Sequence, residues 1–141
     1  MSGLGGDFFC QVWDPREGQV RALNASGRSA ARASIELYRS RGHAGIIPVR
    51  GPLAALTVPG AIDGWWELHQ RYGRLDWERL FQPAIRYAGE GFPLTPKFQA
   101  SIAANSEVLS QYEATAAAYL PGGRPPKAGA IFRQPDLGRS L

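Results

Sequence analysis

The chain has 141 residues, which is close to the commonest length of a single globular domain. Apolar residues make up 44% of it and charged residues 20%, and these ordinary values indicate a globular rather than a disordered protein. The formal net charge is +4, but the arginines are spread from Arg16 to Arg139 without a dense basic run, which argues against a nucleic-acid-binding module.

The first predicted element is a β-hairpin. Residues 8–13 form an apolar, aromatic strand, residues 14–18 (DPREG) place Pro and Gly in a turn, and a second strand continues over residues 20–23. Because nearly every position of the first strand is apolar, we expect both of its faces to be covered. A two-stranded sheet buried on both faces needs neighbouring strands, so the pattern also predicts that the chain is a fragment.

Helices are predicted for most of the remaining chain. A short helix over residues 31–41 stops at Gly42, and a proline-containing connection with an extended piece at 54–58 follows it. The next helix stops at Gly73, and its apolar residues keep helical spacing. In the helix that Asp76 caps, a buried stripe is predicted from the following residues: Trp77, Leu80, Phe81, Ala84, Ile85 and Ala88.

In the last third of the chain, the sequence predicts a further helix, a loop and the start of a final helix. Thr95 and Pro96 suit the cap and the first position of a helix, with Phe98, Ile102 and Ala103 facing inward. The run PGGRPP predicts a loop, and the run PDLGRSL predicts the first turn of a helix. We expect residues 1–141 to form one incomplete domain, because no linker divides them.

Several kinds of site are not indicated by the sequence. The single cysteine, Cys10, excludes an internal disulfide and is interpreted as a small buried hydrophobe. Neither His43 nor His69 has a metal-ligating partner three or four residues away, so no metal and no cofactor is expected. No apolar run approaches the roughly 20 residues of a membrane span, and no targeting signal is visible, so the compartment stays open.

Other candidate features have simpler structural interpretations. The glycine-rich run SGLGGD opens a strand rather than a helix, so we interpret it as a tight backbone passage and not as a phosphate-binding loop. Trp65, Trp66 and Trp77 fall on or near helix stripes and are predicted to pack rather than to form a binding platform. The carboxylates form no pair that would suit acid–base catalysis, so no catalytic residue is predicted within the chain.

Arg28 is the candidate binding residue. It stands after the second strand in the run LNASGRSAARAS, surrounded by Ala, Ser and Gly, which leaves space for a ligand to reach its guanidinium. The fork of an arginine can grip a carboxylate through two parallel hydrogen bonds. A surface arginine without a ligand remains the alternative on these residues alone.

Four stretches of the sequence carry a resemblance to a known family. They are SGLGGDFFCQVWD, LNASGRSAARAS, LTVPGAIDGWWELHQRYGRLDWERLFQPAIRYAGEGFPLTP and AIFRQPDLGRSL, and together they cover nearly the whole chain. In this order they resemble the γ-glutamyltransferase (γ-glutamyltranspeptidase) family of the N-terminal nucleophile hydrolases. The long third stretch is highly specific for that family.

The resemblance implies an α+β chain, a β-hairpin followed mostly by helices, within a four-layer αββα fold. It also implies a precursor that cleaves itself, so that the new N-terminal threonine of a small subunit attacks a γ-glutamyl amide such as that of glutathione. Water or an acceptor amine then takes the acyl group. This chain would be an internal part of the large subunit, with the small subunit of the same precursor and a small-molecule amide as its partners. The catalytic threonine would lie outside it, and the chain alone is expected to be inactive.

The family's arginine for the donor α-carboxylate falls on Arg28, so the resemblance implies substrate binding there. The familiar transpeptidases read roughly Arg-Glu-x-Ala-Pro at this point, whereas this chain continues from Arg28 as Ser29-Ala30-Ala31-Arg32 and has Ser-Gly before the arginine. This form resembles a branch of γ-glutamyltransferase-like proteins and acylases. Two alternatives therefore remain: an acylase that does not use γ-glutamyl donors, similar to cephalosporin acylase, or an inert fragment.

Overall fold

The computed structural model of the protein describes residues 3–51, 53–54 and 56–141. The chain divides into two compact units, one that extends to Arg74 and one that comprises Leu75–Leu141. Each unit combines helices with a small antiparallel sheet, so the predicted α+β class, with a β-hairpin followed mostly by helices, is confirmed.

The first unit begins with the predicted β-hairpin. Strand β1 (Phe8–Asp14) pairs antiparallel with strand β2 (Gln19–Ala25) over all seven residues of each strand. The N–H of Gly18 donates to the carbonyl oxygen of Asp14 at 2.8 Å and closes the turn, where Gly18 has a φ of +64°. Because glycine adopts a positive φ without a steric penalty, its place in the DPREG run determines this turn.

One face of the hairpin is covered, whereas the other is exposed. Half-buried residues of β1 pack against helix α2 (Ala61–Tyr72), where the rings of Phe8 and Trp65 meet edge to face with their centroids 6.3 Å apart. On the opposite face Phe9 is 65% exposed and Trp13 is 60% exposed. The prediction that both faces of the first strand are covered is therefore wrong for the described residues, because this unit has no second layer on that side.

Helix α1 (Ile35–Ser40) is shorter than the helix predicted at residues 31–41. The hydroxyl of Ser34 accepts a hydrogen bond from the N–H of Leu37 at 3.2 Å and so caps the first turn. Gly42 follows the helix with a φ of +84°, and its N–H donates to the carbonyl oxygen of Arg39 at 3.0 Å. The predicted stop at Gly42 is confirmed, since only glycine adopts this conformation readily.

A connection joins α1 to α2. The predicted extended piece at 54–58 contains Ala55, which lies outside the described residues, but Thr57 forms an isolated antiparallel bridge with Ser29. Helix α2 begins after Gly60, and Gly73 caps its end as predicted. The bridge between Thr57 and Ser29 fixes the backbone next to Arg28.

In the second unit, the predicted buried stripe of helix α3 (Trp77–Glu90) is only partly buried. Asp76 occupies the N-cap position as predicted, but its side chain makes no capping hydrogen bond, and the helix continues through Pro83. Of the six stripe residues Ala88 alone is buried, and Leu80 is 46% exposed. Helix α7 (Pro135–Ser140), which confirms the predicted final helix, packs on α3 beside Ile85 and Ala88.

A second small sheet, which the sequence did not predict, follows α3. Strand β3 (Phe92–Pro93) pairs antiparallel with strand β4 (Ile131–Phe132), and Gly91, with a φ of +91°, leads from α3 into β3. Three short helices lie between these strands, namely α4 (Pro96–Ala104), α5 (Ser106–Ser110) and α6 (Glu113–Tyr119). The predicted PGGRPP loop begins with a single 3₁₀ turn.

The buried core of the second unit surrounds Phe132. Its members are Leu94, Ile102, Leu120 and Phe132, against which Phe92, Phe98, Leu109 and Tyr119 pack. As predicted, Thr95 caps α4, because its hydroxyl accepts the N–H of Phe98 at 3.2 Å. Ile102 and Phe98 face inward as predicted, whereas Ala103 is exposed, so that part of the prediction is wrong.

Candidate substrate-binding site

Arg28 lies just beyond the end of β2, at the open end of the hairpin. The N–H of Val58 donates to the carbonyl oxygen of Arg28 at 2.8 Å, and the next residue, Ser29, forms the bridge to Thr57. The backbone around Arg28 is therefore tied to the segment that precedes α2, although that segment lies far along the sequence. The sequence pattern predicted the strand but not this pairing.

The small residues before Arg28 allow two backbone segments to approach closely. A β-carbon on Gly27 would overlap the carbonyl oxygen of Val58, so only glycine fits there. The side chain of Asn24 accepts the N–H of Ser26 at 2.9 Å and turns the chain as it leaves β2. The small neighbours of Arg28 were predicted to leave space for a ligand, and at Gly27 the close backbone contact is a second reason for a small residue.

Asp7 connects the two segments that flank Arg28. Its Oδ1 atom accepts the N–H of Gly27 at 3.3 Å and the hydroxyl of Thr57 at 3.0 Å. The sequence analysis did not identify Asp7 as part of the site. Its position in the sequence, between a glycine-rich run and an apolar strand, could have drawn attention to it, but its hydrogen-bond partners could not be inferred from spacing.

The glycine-rich run SGLGGD passes close to the start of α2. The carbonyl oxygen of Gly6 accepts the N–H groups of Gly60 at 3.2 Å and Ala61 at 3.0 Å. These N–H groups belong to the residues at the helix N-terminus, which otherwise lack a partner within the helix. The predicted tight backbone passage is therefore found at Gly6 but not at Gly3 and Gly5, which have open space around them, and Asp7 enters the site directly after Gly6.

Arg28 is exposed and lines an open cleft between the end of β2 and α2, with a volume of about 620 Å³. Among the described residues its guanidinium makes no hydrogen bond or ion pair. The carboxylates of Asp63 and Glu67 also line the cleft, and that of Glu67 lies 3.6 Å from the guanidinium of Arg71. An accessible guanidinium in a cleft of mixed charge suits a small polar ligand that carries a carboxylate.

The other residues considered from the sequence lie in packing positions. The ring of Trp65 contacts Phe8, and that of Trp77 meets Phe81 with centroids 4.8 Å apart. His69 is half-buried and stacks on Trp66 at 6.0 Å between centroids. The predicted packing is confirmed for Trp65 and Trp77, which are half-buried, whereas Trp66 is 41% exposed. Cys10 is half-buried and unbonded.

The part of the chain that the structure describes contains no group of three side chains that could hold a metal ion. Across the same described residues, no helix combines the length and the apolar character that crossing a bilayer requires.

At the start of α1, the backbone N–H of Glu36, followed by the hydroxyl of Ser34, lowers the pKa of the Glu36 carboxyl below its ordinary value of 4.5. This shift belongs to a helix cap and not to the cleft around Arg28.

Comparison with known proteins gives consistent matches over the whole chain. The family model described as gamma-glutamyltranspeptidase matches residues 1–141. Oxamate amidohydrolase proenzyme from Klebsiella pneumoniae is 39% identical over 146 residues, which cover 100% of this chain and 27% of that protein. Glutathione hydrolase-like YwrD proenzyme from Bacillus subtilis is 35% identical and is matched over 100% of this chain and 26% of its own length.

A solved structure agrees with these sequence matches. Cephalosporin acylase from Bacillus halodurans superposes with a TM-score of 0.88 at 33% identity, over 98% of this chain and 27% of that chain. The chain therefore spans about a quarter of the length of each of these relatives.

Proposed function

Because the chain belongs to the γ-glutamyltranspeptidase family, we propose that the full-length protein is an amidohydrolase or acyltransferase of the N-terminal nucleophile class. It cleaves a γ-glutamyl or related acyl amide, such as that of glutathione, and passes the acyl group to water or to an amine. The two curated relatives described above are named proenzymes, which supports a self-cleaving precursor with a small subunit. That subunit supplies the threonine nucleophile, whose own α-amine acts as the base.

The observation that carries this proposal is the accessible guanidinium of Arg28 in its cleft. Its backbone is held by Val58, so the side chain extends from a defined point, and no described partner competes for it. A carboxylate bound by such a fork gains roughly 1.5–3 kcal/mol for each charged hydrogen bond. This interaction anchors one end of the donor and leaves its amide free for the nucleophile.

The names of the relatives support a carboxylate on the acyl side of the donor. Glutathione carries its cleavable γ-glutamyl group with a free α-carboxylate, and oxamate carries a carboxylate directly next to its amide. These two molecules differ greatly in length, but both offer a guanidinium the same planar anion. Arg28 therefore serves as the common anchor, while residues elsewhere in the precursor select the length of the acyl group.

Substitution of Arg28 in the full-length, self-cleaved protein tests this role. We expect Arg28→Ala to raise KM for γ-glutamyl p-nitroanilide by about 10-fold or more, as for the loss of a charged hydrogen bond, with a much smaller change in kcat. Arg28→Lys keeps the positive charge but loses the two-pronged guanidinium, so its KM should lie between those of the wild type and Arg28→Ala. Arg32→Ala, which removes an exposed arginine outside the cleft, is the control. An unchanged KM in Arg28→Ala would remove Arg28 from the site.

A second candidate function is an acylase that does not use γ-glutamyl donors. The similarity to cephalosporin acylase and to oxamate amidohydrolase favours it. Turnover of γ-glutamyl p-nitroanilide, oxamate and a glutaryl-cephalosporin by the full-length protein separates the candidates, because each donor reports a distinct acyl specificity. The 141-residue chain is assayed in parallel and is expected to be inactive, whereas any turnover by it would show that a complete active site lies within these residues.

A further inference from the structure

We propose that Asp7 is a positioning residue that holds Arg28 in its substrate-binding orientation, an inference that rests on the proposed role of Arg28. The side chain of Asp7 contacts neither the cleft nor the guanidinium in any described hydrogen bond or ion pair. It acts instead through the backbone on one side of Arg28 and through the bridging segment on the other.

The contacts of a single oxygen atom carry this inference. Oδ1 of Asp7 accepts the N–H of Gly27, the residue directly before Arg28, and the hydroxyl of Thr57. Thr57 in turn pairs with Ser29, the residue directly after Arg28. One carboxylate oxygen therefore connects three segments of the chain: it binds Gly27 directly, and it reaches Ser29 indirectly through Thr57.

A carboxylate oxygen suits this task, because its lone pairs can accept hydrogen bonds from both donors. The side chain is half-buried, so competition from water is reduced. Gly27 cannot move toward Val58, because their backbones are already in close contact, and the Asp7 bond prevents Gly27 from moving away. The backbone directly before Arg28 is therefore restrained on one side by Val58 and on the other by Asp7.

The loss of this restraint should weaken donor binding, because a small misplacement of a substrate-positioning group strongly lowers its effect. In the full-length, self-cleaved protein we expect Asp7→Ala to raise KM for γ-glutamyl p-nitroanilide by about 5-fold or more, with kcat changed by less than about 2-fold. If oxamate is the donor that the protein turns over, the same measurement is made with oxamate. Asp7→Asn keeps an Oδ1 acceptor and should restore KM to within about 2-fold of the wild type.

Three further variants separate positioning from general stability. Thr57→Val removes the hydroxyl that Asp7 binds and should reproduce part of the KM increase, whereas Thr57→Ser keeps the hydroxyl and should not. In an Arg28→Ala background, Asp7→Ala should produce no additional increase in KM, because its effect passes through the side chain of Arg28. The Thr57 variants, which leave Asp7 intact, also carry the test if Asp7→Ala alone prevents self-cleavage.

Each outcome decides between the proposals. An unchanged KM in Asp7→Ala, together with a raised KM in Arg28→Ala, overturns the role of Asp7 and leaves the proposed function intact. Equal effects of Asp7→Ala in both backgrounds, or a fall in kcat that matches the loss of thermal stability, show a purely structural role and also overturn it. An unchanged KM in Arg28→Ala contradicts the proposed function itself, and the inference about Asp7 fails with it.

Discussion

The carbonyl oxygen of Val58 occupies the space that a β-carbon on Gly27 would need. The contact is between two backbone segments, so no side-chain rotation can relieve it. It brings the residue before Arg28 against the loop before α2, and the N–H of Val58 completes the junction by donating to the carbonyl oxygen of Arg28. The contact between these two backbone segments therefore fixes the point from which the accessible guanidinium of Arg28 extends.

Gly27→Ala should separate the two segments at this junction. Crowding of a packed backbone costs about 3 kcal/mol or more when neither side can move, and the shift also displaces Arg28. We expect the full-length protein to lose thermal stability and to show a KM for its donor that is raised about as much as in Arg28→Ala. Gly5→Ala, at a glycine with open space around it, is the control and should change neither value. A normal KM in Gly27→Ala would contradict the close approach.

Substitution by alanine at two glycines inside helices should change the free energy of unfolding in opposite directions. A β-carbon on Gly64 in α2 would overlap the β-carbon of Ala25 and lie 2.8 Å from Cδ1 of Phe8, whereas Gly89 in α3 has open space. We expect Gly64→Ala to lower the free energy of unfolding by about 1–3 kcal/mol through overpacking. Gly89→Ala should raise it by about 0.5–1 kcal/mol through helix propensity. Urea denaturation of the 141-residue chain, followed by circular dichroism, measures both, and two changes of the same sign would contradict the packing of α2 on the hairpin.

Phe132 should be the most sensitive core position of the second unit. It is 5% exposed, and the ring centroids of Phe92, Phe98 and Tyr119 lie 5.8, 5.5 and 5.6 Å from its own. Phe132→Ala should lower the free energy of unfolding by about 3–5 kcal/mol, because it removes a buried ring and leaves a cavity. The adjacent Ile131 is half exposed, so Ile131→Ala should cost much less. Equal losses in the urea midpoints of the two variants would be inconsistent with this core.

The carboxyl of Glu36 provides a pH-dependent prediction. Its pKa is lowered in the folded state, so its contribution to stability is present above its unfolded pKa and is lost as the pH falls through the lowered folded value. Ser34→Ala should raise the Glu36 pKa only partway to its ordinary value, because the backbone N–H of Glu36 is the larger cause of the shift. Titration of Glu36 by NMR measures this change, with Ser34→Thr as the control that keeps a hydroxyl. A pKa that stays unchanged in Ser34→Ala would exclude the hydroxyl as a cause.

The hairpin and most of the helices could be predicted because their signals are local, whereas the short helices α5 and α6 were not predicted. Gly18 and Gly42 stand where the chain needs a positive φ, and Thr95 offers a capping hydroxyl directly before Pro96. These features depend on residues within a few positions of one another. The sheet formed by β3 and β4 could not be predicted in the same way, since each strand has only two residues and its partner lies far along the chain.

Burial was predicted less well than secondary structure. The stripe of α3 has helical spacing, yet in the described second unit Ala88 alone is buried, while Trp77, Phe81 and Ile85 are half-buried. Phe9 and Trp13 are likewise apolar but exposed in the described first unit. Spacing indicates which side chains share a face, but the elements that pack on that face decide how much of it is buried.

The sequence by itself determined the turns, the caps and the family, and through the family it singled out Arg28, because these properties depend on residue type and on short-range order. Only the tertiary structure decided that Asp7, Gly27 and Thr57 meet around Arg28. Their contacts join residues from distant parts of the chain, and such pairings are established by the packing of the hairpin on α2 rather than by any pattern that can be read along the sequence.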